Sequence, residues 1–129
     1  MKEIIAMHGW AGDSHQWLNW KKIFKNCGWE WKTSERGYKD LSPHTPKWNN
    51  NLIHVELKRV ALCHSLGSHL IDKQVLDSAT HVVLINSFSR FIPSGKESRP
   101  VKLALNRMMD AINTPNEACL LYTSPSPRD

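Results

Sequence analysis

Val60-Ala61-Leu62-Cys63-His64-Ser65-Leu66-Gly67-Ser68 is an apolar run that ends at a serine framed by small residues. A nucleophilic serine must stand clear of its backbone, so that a base reaches its hydroxyl and a carbonyl carbon approaches it. A sharp strand-to-helix turn achieves this, but it crowds the residues two before and two after the serine. Both must be small, and here they are Cys63 and Gly67. Leu66 then offers a backbone N–H at the first turn of the next helix, aimed where an oxyanion would form. The small-x-Ser-x-Gly pattern is common by chance. Its place between an apolar strand and a helical pattern is what gives it weight.

Outward from that turn, Ile4-Ile5-Ala6-Met7 reads as a short buried strand that runs into His8-Gly9-Trp10-Ala11-Gly12. An early strand with His-Gly-Trp, then a later strand with His-Ser-Leu-Gly and a helix, resembles the α/β-hydrolase superfamily. Within it the likeness is to small carboxylesterases of the pimeloyl-acyl-carrier methyl esterase branch. It covers about Lys2 to Phe91. The resemblance implies Ser65 as nucleophile and the Trp10 and Leu66 amides as the oxyanion hole. It also implies a mostly parallel α/β sheet flanked by helices, a small acyl ester or acyl-carrier-linked ester as substrate, and no cofactor. Cys63 stands where the family usually has glycine, and it is small enough for the turn.

The family order is nucleophile, acid, then histidine. The last histidine here is His81, at the start of the next strand and so at its wrong end for catalysis. His64 is fixed inside the turn and His69 lies on the helix leaving it, both too close in sequence to serve as base. Asp110 and Glu117 are the available acids, without a histidine to orient. The triad acid and histidine are therefore expected to be absent from this chain. No histidine cluster has metal-ligand spacing, and His8 is expected to brace the loop that presents the Trp10 N–H. His44 and His54 carry no assigned role.

The segment Cys119–Asp129 differs from everything before it. It resembles, residue for residue, one reading frame of a transposase-type sequencing adaptor; a natural Pro/Ser-rich disordered tail is the alternative. The expected organisation is one α/β-hydrolase domain over residues 1–118, an N-terminal part, with a helical cap beginning at about 93–118 and a non-native tail at 119–129. The C-terminal strands and most of the cap would then be missing, leaving the strand at Val82–Ile85 as a sheet edge and the chain inactive.

A chain of 129 residues suits one globular domain. Its apolar runs are too short to span a bilayer. Met1-Lys2-Glu3 leads straight into the first strand, so no signal peptide is expected. Of three cysteines, only Cys27 and Cys63 precede the tail, and neither suggests a disulfide framework. A reducing cytoplasm is the simplest compartment. The net charge is +5, and the lysines and arginines are scattered, Lys21, Lys22, Lys25, Lys58, Arg59, Lys96 and Arg99 among them. That pattern is expected as solvated surface, with no nucleic-acid recognition element. Docking of an acidic carrier protein is the alternative, and salt-insensitive binding of an acylated carrier would exclude it.

Along the chain, Asp13 with Gln16 reads as a helix start with a capping box. Trp17, Trp20, Phe24 and Cys27 form one apolar stripe, expected as core, and Gly28 stops the helix. Trp29–Thr33 alternates as a strand. Glu35-Arg36-Gly37-Tyr38 reads as an ordinary turn, with a contribution to pocket shape as the alternative. Leu41–Asn51 is a loop, and Leu52–Leu57 a short helix or turn. From Ser65 one helix is expected through Leu66, Leu70, Ile71, Val75 and Leu76. Val82–Ile85 is an unbroken apolar run, expected as a parallel strand covered on both faces. Phe88 and Phe91 follow at its rim, as pocket lining or as core. Val101–Ile112 is helical, with Pro100 at its start. The expected function is a serine hydrolase of carboxylic esters. The alternatives are an acyltransferase on the same fold and a non-catalytic binding module.

Overall fold

The computed structural model describes residues 1–50, 56–88, 95–111 and 114. The chain divides into two compact units, Met1–Phe88 and Ser89–Asp129. The first holds four strands: β1 (Lys2–Met7), β2 (Glu30–Thr33), β3 (Lys58–His64) and β4 (His81–Ile85). They form one all-parallel sheet in the order β2-β1-β3-β4. This is the expected α/β class.

Of the three crossovers in the sheet, two carry α-helices. From β1 the chain passes a tight 3-10 turn at Ser14–Trp17 and helix α1 (Leu18–Asn26) to reach β2. From β3 it passes α2 (Gly67–Leu70) and α3 (Lys73–Asp77) to reach β4. Because side chains alternate along a strand, each crossover seals a different face. Ile4, Ala6 and Leu62 pack with Trp17, Trp31 and Phe24 on the α1 face. Ile5, Met7, Ala61 and Cys63 pack with Ile71, Val75 and Trp48 on the other.

Several expectations change on this frame. The helix after Ser65 is not continuous: Ile71 is extended (ψ 149), and Asp72 caps α3 by accepting the Gln74 N–H. The break lets Ile71 and Val75 both reach the sheet from short segments. In the α1 stripe Trp17 is buried, but Trp20 is exposed and Cys27 lies on the surface. Trp20 instead stacks on Phe24 and meets Trp17 edge-on. Asp13 does cap the turn, through the His15 N–H, while the Gln16 side chain turns to His64 rather than closing a capping box.

β4 is one of the sheet's two edge strands, and its apolar side chains are not buried: Val82, Val83 and Leu84 are 48%, 42% and 53% exposed. Arg59, expected as solvated, is drawn inward instead. Glu3 is fully buried on β1, and Arg59 Nε and Lys32 Nζ approach its carboxylate at 3.5 and 3.6 Å from the two neighbouring strands. The Asn49 N–H donates to Glu3 at 2.9 Å, and Arg59 donates to Asn49 O. That network pins the loop carrying Trp48, whose indole N–H donates to Val75 O.

In the second unit, α4 (Ser98–Ala111) begins two residues before Pro100, which its first turn tolerates. Residues 52–55, Phe91, Ile112, Glu117 and the 119–129 tail lie outside the described residues. Among the described residues no helix is long and apolar enough to cross a membrane.

Candidate active site

The two crossovers leave β1 and β3 in opposite directions. The adjacent C-terminal ends of these strands are therefore the point where strand order reverses, and open parallel sheets leave a crevice there. β1 delivers His8-Gly9-Trp10 to that point and β3 delivers Ser65-Leu66. The sequence motifs meet because the central strands are paired in register, Met7 against Cys63.

At Ser65 the strand ends abruptly. Ser65 has φ 53, the left-handed region where a residue bearing Cβ is strained, and Leu66 returns to φ −69, ψ −10 before α2. Such a conformation costs about 1–3 kcal/mol and persists only where its surroundings over-determine it. Those surroundings are visible. The Ser65 N–H donates to Ile85 O at 2.9 Å, and Ser65 O accepts from Ser87 Oγ at 2.7 Å. Ser68 Oγ lies 2.9 Å from Ser87 Oγ. The exit of β4, which turns at Asn86 (φ 47), thus grips both sides of the Ser65 peptide.

Gly67 and Gly9 explain how the two loops come so close. A Cβ at Gly67 would lie 2.7 Å from Met7 O and 2.9 Å from His8 O. A Cβ at Gly9 would lie 3.1 Å from both His64 O and Ser65 Cβ, and 3.7 Å from Leu66 N. The backbone carrying Trp10 is therefore seated directly against the serine and the following amide. Among the described residues neither the Trp10 nor the Leu66 N–H donates to a backbone carbonyl. α2 is only one turn long, so no long helix lies behind the Leu66 amide. The turn has the expected sharpness, but it is less open than expected: Ser65 keeps 9% of its surface exposed.

The loop after β1 is braced from beneath. His8 is fully buried, its Nδ1–H donating to Gly9 O at 2.8 Å. Its Nε2 lies 2.9 Å from Glu35 Oε2 and 3.1 Å from the Arg36 N. Glu35 also accepts N–H bonds from Ser14 and Gly37, each at 2.9 Å. Burial by itself would raise the Glu35 pKa; the Gly37 and Ser14 N–H bonds, with the charge of His8, outweigh it and lower the pKa below the ordinary carboxylate value. So Glu35-Arg36-Gly37-Tyr38 is more than an ordinary turn. The segment was singled out in the sequence, but the role of its acidic residue as a brace for His8 was not, since its partner lies on another strand.

Other nearby groups are occupied or inert. Burial pushes the Cys63 thiol up to about 11, which keeps it protonated beside the serine. His64 Nδ1 lies 3.4 Å from the Gln16 side-chain amide, and His69 bonds to Phe88 O while stacking on the Phe88 ring. Asp110 lies exposed on α4 in the second unit. Among the described residues no His/Cys/Asp/Glu group is arranged to hold a metal ion. Compared with protein-family models, curated proteins and solved structures, the chain matches none. It is a small α/β domain built on a four-stranded parallel sheet, with a strained serine where the strand order reverses.

Proposed function

We propose that this chain carries the nucleophile and oxyanion half of a serine hydrolase of the α/β-hydrolase type, acting on carboxylic esters. The observation that supports it is the placement of Ser65: a left-handed residue at the switch point, against a second loop whose Trp10 amide has no backbone partner among the described residues. A buried serine in a strained bend has no structural advantage over glycine or asparagine, which adopt φ > 0 at lower cost. A hydroxyl retained there points to chemistry.

In the mechanism Ser65 Oγ attacks the ester carbonyl while its proton passes to an imidazole base. The Trp10 and Leu66 amides hold the oxyanion of the tetrahedral intermediate. Its collapse expels the alcohol, and water then releases the acyl group. Losing one such amide costs about 10²–10³ in turnover, and losing the base roughly 10⁶. The base and its acid partner would come from outside the described residues. An acyltransferase would use the same serine with an alcohol or thiol in place of water, and only product analysis separates the two.

A fluorophosphonate probe tests the assignment. Protein carrying the full catalytic set should label at Ser65, and Ser65→Ala should abolish the labelling. Labelling that survives the substitution overturns the nucleophile. No labelling of protein that carries the full catalytic set favours a binding module, for which the 9% exposure of Ser65 is no handicap.

A further inference from the structure

We propose that Glu35 is a positioning residue for the Trp10 amide, acting through His8 and Ser14; the use of that amide as an oxyanion donor rests on the hydrolase reading above. One carboxylate fastens both ends of the loop. At the start, Glu35 Oε2 holds His8, whose other ring nitrogen donates to Gly9 O. That same carbonyl accepts the Gly12 N–H at 3.2 Å and closes the turn Gly9–Gly12, in which Trp10 occupies the second position. At the far end, Glu35 Oε1 takes the Ser14 N–H. Residues 8–14 are thus spanned by a single side chain from the exit of β2.

The Trp10 side chain is held from the same segment. Tyr38, three residues beyond Glu35, lies edge-on to both the Trp10 and His8 rings, with centroids 5.3 and 5.9 Å apart. Ala11 sits at φ 56, a strained state that the turn would relax if released. The loop is therefore not self-supporting. Its geometry depends on a charged group one strand away, and the cost of misplacing an oxyanion donor falls on the transition state rather than on folding.

Three variants separate this role from a general structural one. Glu35→Ala removes both fastenings. Glu35→Gln keeps an acceptor for Ser14 and a polar contact to His8. Ser14→Pro deletes only the far-end fastening, the Ser14 N–H together with its side-chain hydroxyl: Ser14 is the first residue of its turn and Asp13 before it is extended (φ −152, ψ 172), so proline is accommodated. Amide hydrogen exchange by NMR on the chain as it stands reads the result. In Glu35→Ala the Gly12 amide should exchange about tenfold faster or more, while Ile5 and Leu62 in the core keep their protection. Glu35→Gln should restore most of the protection, and Ser14→Pro should fall between.

Unchanged Gly12 exchange in Glu35→Ala, or loss of core protection in step with Gly12, overturns the proposal. In the labelling-competent protein, Glu35→Ala should slow fluorophosphonate labelling by about 10²-fold, the cost of one oxyanion donor; labelling at the parent rate also overturns it. Absence of labelling in the parent defeats the hydrolase reading instead, and the exchange experiment still decides whether Glu35 sets the loop.

Discussion

β1 and β4 look alike as sequence and differ completely as structure. Ile4-Ile5-Ala6-Met7 and Val82-Val83-Leu84-Ile85 are apolar runs of equal length, each ahead of a polar loop. In β1 these residues are 0–2% exposed; in β4 Val82, Val83 and Leu84 are 42–53% exposed. The difference is one of position. β1 has a strand on either side and a helix layer on each face, whereas β4 is paired only to β3 and no cover reaches its outer residues. An apolar run states that a strand has much to bury; the neighbours available decide whether it does.

The contrast can be broken from its strong side first. Ile5→Ala opens a cavity in a fully packed site and should cost about 2–5 kcal/mol in urea denaturation. A loss below 1 kcal/mol would mean that the centre of the sheet is no better packed than its edge. Next in size, Gly67→Ala forces a Cβ to within 2.7 Å of the Met7 carbonyl oxygen. Backbone atoms cannot step aside as a side chain can, so a destabilisation of about 1–3 kcal/mol is expected.

Acid sharpens the comparison without touching the hydrophobic layers. The Glu35 pKa is lowered in the folded state, so its contribution to stability is complete above the ordinary carboxylate value and is lost as pH falls through the lower folded one. Thermal melts of the parent should therefore fall more steeply below about pH 4 than those of Glu35→Gln. Parallel pH profiles would count against the clamp.

The smallest expected effect on stability lies at the edge. Val83→Lys should change the unfolding free energy by no more than about 0.5–1 kcal/mol, because Val83 is already half exposed. Its effect on solubility should be larger: the parent is expected largely in the insoluble fraction, through pairing of the exposed apolar edge, and a lysine there should raise the soluble yield. A parent that melts cooperatively as a monomer would show that the edge is protected.

The sharp turn at Ser65 was legible along the chain. Small residues around Ser65, with glycine at 67, are demanded by local sterics, and a steric demand appears as a residue type at a fixed offset; the His-Gly-Trp stretch stood out only through its resemblance to a family. Glu35 and Arg59 were not legible, for the opposite reason. Each is an ordinary charged residue in a polar stretch, and what makes it structural is a partner on another strand, His8 for one and Glu3 for the other. The break at Ile71 was hidden in the same way, since an apolar residue fits a helical stripe as well as an extended link that drops onto the sheet.

Taken alone, the order of residues determined the apolar strands, the sharp turn at Ser65 and the small residue needed at Gly67. These follow from backbone geometry and from short-range patterns of apolar side chains. Only the tertiary structure decided which apolar strand is central and which is bare, and which carboxylate fastens the Trp10 loop. Those outcomes depend on pairing between segments distant in the chain, where burial and hydrogen bonding are shared properties of two strands and of neither one separately.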